Sequence, residues 1–413
     1  SKIAFIYPGQ GAQVCGMGQD FYEQTKEGKE TFDLATDILG FSVPELCFTE
    51  NDRLDITEYT QAAMVTTSIA MTKVLEAQGV KPDVTAGLSL GEYCALYAAG
   101  VMSEKDAIAT VRQRGILMQQ AVPAGQGAMA AVLAMDAAAI EETIADIEGV
   151  QIANYNCPGQ IVISGKKEAV ETACEKLKEA GAKRTIMLNV SGPFHSRMLI
   201  GAGEKLGEVL ENVEVHTPQI PYVANVTAQY VTDAAEVKPL LTKQVSSSVR
   251  WEQSVHTMLA DGVDTFVEIG PGKTLSGFMR KIDRNVKVYN IQTVEDAEKL
   301  AFSFLKDGQT VSFGGSMTLE ETGMLTALRH DPSIHLIDRS TAKTPDETKK
   351  MYHDALSSDV YFMSTNAITT GGELVNIDGT GNRVAALIYG PETVVILAGM
   401  NKISANVDEA LSR

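Results

Sequence analysis

The chain has 413 residues, 44% of them hydrophobic and 21% charged, enough for two or three domains with substantial cores. A net charge of −18 argues against nucleic acid or an anionic membrane surface as a partner, and no apolar run approaches the ~18 residues that a membrane helix needs. The five cysteines (Cys15, Cys47, Cys94, Cys157 and Cys174) are odd in number and lack a CxxC pair. That points to a reducing cytosol and away from a disulfide framework or structural zinc.

Along the chain, strand-like apolar runs alternate with helical patterns to about residue 290, which implies an α/β architecture with parallel pairing. Residues 3–7 read as a buried strand ended by Pro8, too short for a signal-peptide core. Ser1 in the place of methionine points to processing or to a remnant of cloning. The loop Pro8-Gly9-Gln10-Gly11-Ala12-Gln13 follows, with glycines that let the backbone pass close to a ligand. A short β-like stretch, 83–86, leads into Gly87-Leu88-Ser89-Leu90-Gly91, and a helix-prone run, 92–99, comes after it. G-x-S-x-G between strand and helix presents a serine as a nucleophile and aims the amide of Leu90 at a developing oxyanion. On the pattern alone, a helix-capping serine is an open alternative. Ser103-Glu104-Lys105-Asp106 resembles a capping box that starts a helix carrying Ile108, Val111, Arg114, Gly115 and Met118.

The rhythm changes between about 126 and 190. Strand-like runs at 128–135, 150–154, 160–164 and 184–190 alternate with helical runs at 136–147 and 166–180. This is the βαββαβ order of a ferredoxin-like unit, here inserted into the larger one. The main fold resumes with strands at 221–226 and 265–269, then the turn Gly270-Pro271-Gly272 and another helix. A helical run, 294–305, ends in Lys306-Asp307-Gly308. After it the pattern starts afresh: a strand at 310–313, a turn at Gly314-Gly315-Ser316, a helix at 319–329, and strands at 334–337, 360–363 and 394–398. The predicted domains are therefore 1–125 with 191–295, the insertion 126–190, and a separate unit over 306–413.

A serine hydroxyl needs an adjacent base to act as a nucleophile at neutral pH. Of the six histidines, five (His216, His256, His330, His335 and His353) stand in ordinary polar or amphipathic settings. His195 differs, because it follows Ser191-Gly192-Pro193-Phe194 directly after a predicted buried strand. Such a strand-end loop is a usual carrier of active-site groups. Gln10 and Ser89 also follow predicted strands, whose ends converge on one crevice in an open α/β sheet. Arg114 is a further candidate, against the ordinary reading of a solvated helical cation.

Six segments carry a resemblance: Tyr7-Pro8-Gly9-Gln10-Gly11-Ala12-Gln13, Gly87-Leu88-Ser89-Leu90-Gly91-Glu92-Tyr93, Arg112-Gln113-Arg114-Gly115, Asn156-Cys157-Pro158-Gly159-Gln160, Gly192-Pro193-Phe194-His195-Ser196 and Glu268-Ile269-Gly270-Pro271-Gly272. In this order and spacing, residues 1 to about 295 resemble the bacterial malonyl-CoA:acyl carrier protein transacylases. The resemblance implies an α/β-hydrolase-like domain with a ferredoxin-like insertion. It makes Ser89 the acylated nucleophile, His195 its base, and the amides of Gln10 and Leu90 the oxyanion hole. Arg114 would pair with the malonyl carboxylate, and Asn156 and Phe194 would contact substrate, Phe194 matching the malonyl-selective variant. The histidine would be oriented by a main-chain carbonyl from Val249-Arg250-Trp251, which places Arg250 in the catalytic set. Leu88 stands where many members carry histidine, and it would point into the core. The implied partners are malonyl-CoA and acyl carrier protein in cytoplasmic fatty acid biosynthesis, with no metal and no permanently bound cofactor. Lys166-Lys167, Lys176, Lys178, Lys183-Arg184 and Arg280-Lys281 are candidate basic patches for an acidic partner.

Farther on, Thr310-Val311-Ser312-Phe313-Gly314-Gly315-Ser316, Thr365-Asn366-Ala367-Ile368-Thr369, Val375-Asn376-Ile377-Asp378-Gly379-Thr380-Gly381-Asn382-Arg383 and Gly399-Met400-Asn401-Lys402 resemble part of the LUD domain of lactate-utilisation proteins. This implies a Rossmann-like, CoA-transferase-type unit. Its Gly314-Gly315-Ser316 turn could hold an anion on free amides or be a tight structural turn. With no cysteine, the segment cannot ligate the iron–sulfur clusters of some relatives in the usual way. Two other readings of the whole chain stay open: a serine acyl hydrolase, and a docking or scaffold protein dominated by the C-terminal unit.

Overall fold

The computed structural model describes residues 1–190, 192–304, 309–315 and 317–412. The expectations that involve Ser191, Leu305, Lys306-Asp307-Gly308 and Ser316 lie outside the described residues. The chain packs as two compact units. Ser1–Gln19, Glu30–Thr72 and Lys81–Gln292 form the first; Asp20–Lys29, Lys73–Val80 and Thr293–Arg413 form the second. The second unit thus draws on two short stretches of the N-terminal half as well as on the predicted C-terminal segment.

The first unit is built on a six-stranded sheet in the order Lys287–Ile291, Thr265–Ile269, Ile3–Tyr7, Val84–Gly87, Tyr222–Val223, Tyr230–Val231. Every pair is parallel except the last, a hairpin. Ala4, Phe5, Ile6 and Tyr7 are all fully buried, which is what a central parallel strand covered on both faces requires. The predicted strand at 221–226 shrinks to two residues. The Ala224 amide turns back to the Gln229 carbonyl, with Ala228 at φ 57°, and this frees Asn225 from the ladder. The helix Thr57–Ala77 was not legible in the sequence. It is buried on almost every side, so no polar face marks its period.

The inserted sheet runs Val150–Cys157, Gln160–Lys166, Gly127–Leu133, Arg184–Met187, antiparallel throughout. Helices Ala137–Ile144 and Lys167–Glu179 pack on it through Ile140, Val170 and Leu177. This is the expected ferredoxin-like order. Its last strand stops at Met187 rather than 190, because the following residues leave the sheet to line a cleft.

In the second unit four parallel strands lie in the order His335–Ile337, Thr310–Phe313, Val360–Met363, Thr393–Ile396. Val311, Phe313, Leu325, Leu328 and Phe362 form its core. The single helix expected at 319–329 is two, Met317–Glu321 and Met324–Arg329, parted where Gly323 takes φ 75°. Helix Pro345–Leu356, unread in the sequence, begins on the Thr344 side chain with proline in its first turn. No helix among the described residues is long and apolar enough to cross a membrane.

Candidate active site

The fully buried strand Val84–Gly87 ends in Leu88 and Ser89, and the helix Gly91–Ala98 starts at once. The two glycines act by close approach rather than by special dihedrals. A Cβ on Gly87 would land on the Gly91 carbonyl, and one on Gly91 would land on the Tyr7 carbonyl. The residue that takes the left-handed turn is Ser89 itself, at φ 56°. Such strain in a non-glycine residue is held in place by its surroundings and exposes the hydroxyl at a nucleophile elbow.

The Ser89 Oγ lies 2.7 Å from His195 Nε2. Across the ring, Nδ1 meets the carbonyls of Gln244 at 2.9 Å and Ser247 at 3.2 Å. Two carbonyls require a proton on Nδ1, which leaves the Nε2 lone pair for the serine hydroxyl. His195 is also left-handed, at φ 57°, and is 3% exposed. Burial, and then the nearby Arg114 charge, push its pKa down to about 4, so it is neutral at physiological pH. Its position differs from the expectation in one respect: the inserted-sheet strand before it, Arg184–Met187, is largely exposed rather than buried. His195 stands on the loop that enters the short turn Arg197–Leu199 and the helix Ile200–Leu210.

Arg250 does not orient the imidazole. It caps the helix Trp251–Ala260, and its carbonyl accepts from the amide and hydroxyl of Ser254 at 2.9 and 2.7 Å. Its guanidinium stacks over Tyr155, 5.3 Å from the ring centre. A carbonyl committed to the first turn of a helix points along that axis, away from His195. Gln244, six residues earlier in the same region, supplies the acceptor.

Arg114 projects from the helix Glu104–Gln120 and is 1% exposed, contrary to the solvated reading. Its Nη1 donates to Gln61 Oε1 at 2.7 Å, and its Nη2 donates to Gln244 Oε1 at 3.1 Å and to Ser89 Oγ at 3.2 Å. Nε is buried without a partner. Among the described residues no carboxylate lies within ion-pair distance, so this buried cation has only neutral partners.

Asn225 ties the elbow together. It donates to the Gly87 carbonyl at 2.7 Å and accepts from the Ser89 amide at 2.7 Å and from Gln244 Nε2 at 3.2 Å. Its own amide donates to Glu92 Oε1 at 2.6 Å. Burial raises the Glu92 pKa to about 8, so this carboxyl is protonated at neutral pH. Asn225, Gln244, Gln61 and Glu92 were all missed in the sequence. Gln244 alone left a signal, a polar residue in line with buried Val237 and Leu241 on the helix Val237–Gln244.

These groups open on a cleft of about 670 Å³ between the main and inserted sheets. Gln10, Ser89, Leu90, Arg114, Phe194 and His195 line it, joined by Asn156 from the inserted sheet; Arg250 lies outside. The amides of Gln10 and Leu90 donate to no described residue. The Oδ1 of Asn156 is buried and unpartnered. Leu88 faces two ways, touching the core beneath the sheet and the wall of the cleft.

An elbow serine hydrogen-bonded to a neutral imidazole, beside two unengaged amides, is the equipment of a serine-dependent acyl-transfer enzyme. The acyl transferase domain profile matches residues 4–337, and the LUD domain profile matches 281–413. The malonyl CoA-acyl carrier protein transacylase of Bacillus subtilis (strain 168) is 49% identical over 312 residues, 74% of this chain and 98% of that protein. The crystal structure of an acyl carrier protein S-malonyltransferase from Vibrio cholerae is 41% identical with a TM-score of 0.71, covering 73% of this chain and all of that one (100%). A malonyl-transacylase solved in complex with its type II PKS acyl-carrier protein is 37% identical, again with a TM-score of 0.71, over 73% of this chain and 100% of that one. The chain belongs to the acyl transferase domain family and, within it, to the malonyl CoA-acyl carrier protein transacylases.

Proposed function

We propose that the chain transfers the malonyl group of malonyl-CoA to the phosphopantetheine thiol of acyl carrier protein through a malonyl-Ser89 intermediate, in fatty acid biosynthesis. The observation that carries this reading is the Arg114 cation, buried among neutral partners and hydrogen-bonded to the same Oγ that meets His195. A free carboxylate on the acyl group would pair with it in a charge-assisted bond.

In this reading His195 Nε2 takes the hydroxyl proton as Ser89 Oγ attacks the thioester carbonyl. The amides of Gln10 and Leu90 hold the oxyanion, each worth about 3 kcal/mol in sites of this kind. Collapse of the tetrahedral intermediate expels the CoA thiolate, which receives the proton from His195. The carrier thiol then gives its proton to His195, attacks the malonyl ester and restores Ser89. Two carbonyls, from Gln244 and Ser247, hold the ring where a hydrolase would use a carboxylate. A thiolate leaves readily, so the weaker base suffices.

Asn156 and Phe194 shape the acyl pocket. Residues 1–125 and 191–295 carry the acyltransferase domain, 126–190 its insertion, and 306–413 a LUD-like segment that takes no step. The setting is the cytosol, and the enzyme works without a bound cofactor. Mass spectrometry after exposure to malonyl-CoA tests the proposal: one malonyl group should sit on the peptide with Ser89 and pass to holo-carrier. Rapid release of free malonate instead would make the chain a hydrolase, and an unmodified Ser89 would remove the reading altogether.

A further inference from the structure

The four-stranded sheet of the second unit has a topological switch. From Thr310–Phe313 the chain crosses to His335–Ile337 on one side and then to Val360–Met363 on the other. In open parallel sheets the diverging connections leave a crevice at the carboxyl end of such a strand, where ligands bind. The residues at that end are Gly314 and Gly315.

The Gly314 amide is not free, since it donates to the Phe362 carbonyl at 2.8 Å. The turn therefore does not hold an anion on both its amides, as the sequence allowed. What converges there is side chains. A Cβ on Gly314 would lie 2.9 Å from the Tyr361 hydroxyl and 3.5 Å from the stem of Arg383, and one on Gly315 would lie 3.2 Å from a terminal nitrogen of Arg339. The three residues come from three elements: the strand Val360–Met363, the helix Asn382–Tyr389, and the turn Arg339–Thr341 after the strand His335–Ile337.

Neither arginine has a carboxylate within ion-pair distance among the described residues, although the charges of Asp378 and Arg383 are near enough to attract. Asp378 accepts from the amides of Arg383 and Val384, at 2.7 and 3.1 Å. Asp338 is paired with Arg329 at 2.7 Å. Arg339 stacks over Tyr352, 4.9 Å from the ring centre. Arg383 is anchored by Asn366 and the Ile377 carbonyl, and its Nε is buried without a partner. Burial raises the Tyr361 pKa, which keeps the phenol a donor at neutral pH.

We propose that the carboxyl end of this sheet is a second ligand site, which takes a phosphoryl anion between Arg339, Arg383 and Tyr361 over the Gly314-Gly315 loop. One guanidinium fork satisfies a planar carboxylate. Two guanidiniums and a hydroxyl set on different sides suit the divergent oxygens of a tetrahedral dianion instead. The missing Cβ atoms are what allow it to approach the backbone.

The test is isothermal titration of the full chain with inorganic phosphate and with pyrophosphate at low ionic strength. Wild type should bind, and Arg339→Gln should weaken binding roughly tenfold or more, the loss of one charge-assisted contact; Gly315→Ala, whose methyl would stand against the Arg339 terminus where the anion approaches, should weaken it as well. Arg383→Gln should do the same, but it also removes the anchor to Asn366 and Ile377, so the other two variants carry the test if it misfolds. Malonyl transfer should be unchanged in all three. A parallel titration with coenzyme A separates sources: binding that needs Arg339 assigns the phosphoryl group to that nucleotide, and its absence assigns the site to free phosphates. No binding at millimolar phosphate or pyrophosphate, or binding that survives both Arg339→Gln and Gly315→Ala, overturns the proposal. So does binding that Arg114→Ala abolishes.

Discussion

Replacing Arg114 by alanine separates acyl selectivity from acyl transfer. The guanidinium has five N–H groups, and three of its hydrogen bonds go to Gln61, Gln244 and Ser89. A malonyl carboxylate entering the cleft would pair with the terminal nitrogens, where one N–H of Nη1 is uncommitted. A hydrogen bond to a charged group is worth about 1.5–3 kcal/mol, and about 1.4 kcal/mol is tenfold in rate. The expected fall in kcat/KM for malonyl-CoA from that bond alone is therefore about 10- to 150-fold. Losing the contact to Ser89 Oγ affects every acyl group alike, so the ratio of malonyl to acetyl transfer is the quantity to read. In wild type an acetyl group leaves the buried cation without an anion; in Arg114→Ala that penalty is gone, and acetyl transfer should hold or rise. Steady-state kinetics with both thioesters and holo-carrier, beside a thermal melt to confirm folding, supply the measurement. Equal losses for the two substrates would refute the assignment of Arg114 to the carboxylate.

Further outcomes follow from the same geometry. His195 has a pKa of about 4 against an ordinary 6.5, so its basic form persists well below neutrality. The acid limb of kcat/KM should lie near 4 and move upward in Arg114→Ala, which removes one of the two causes of the depression; a wild-type limb at 6.5 would contradict this. Because the unfolded chain binds that proton first, His195 should also cost stability as pH falls from about 6.5 toward 4. Glu92 has the opposite sign. With a folded pKa of about 8 against 4.5, it contributes stability below 4.5 that is lost as pH rises through 8. Glu92→Gln keeps an acceptor for the Asn225 amide, so its denaturation midpoint should gain on wild type across that window; parallel pH curves would disprove a neutral Glu92. Asn225→Ala leaves the Ser89 amide and Gly87 carbonyl unmet, which should cost about 1–3 kcal/mol of stability. It should also lower kcat more than it changes KM, and a pure KM effect would exclude a positioning role.

Much of the site was legible because its parts carry short-range signatures. Ser89 is framed by two glycines whose missing Cβ atoms the strand–helix junction demands, and Gln10 sits in a glycine loop after a wholly apolar strand. The inserted unit could be read from alternating runs that switch period between strand and helix. The Thr57–Ala77 helix could not, since burial on all sides erased the amphipathic contrast. Arg250 was misassigned because a carbonyl's direction depends on whether its residue opens a helix, and Gln244 was missed because its role rests on main-chain and side-chain atoms that no motif distinguishes.

The amino-acid order by itself determined the α/β class, the inserted ferredoxin-like unit and the elbow serine, because local sterics and hydrophobic period act over a few residues. Which histidine face meets that serine, which carbonyls hold it, and that Arg114 and Glu92 are buried without an opposite charge in contact were decided only by the tertiary structure. Those properties depend on desolvation and on atoms brought together from Gly87 to Ser247. Neither is encoded at any one position of the chain.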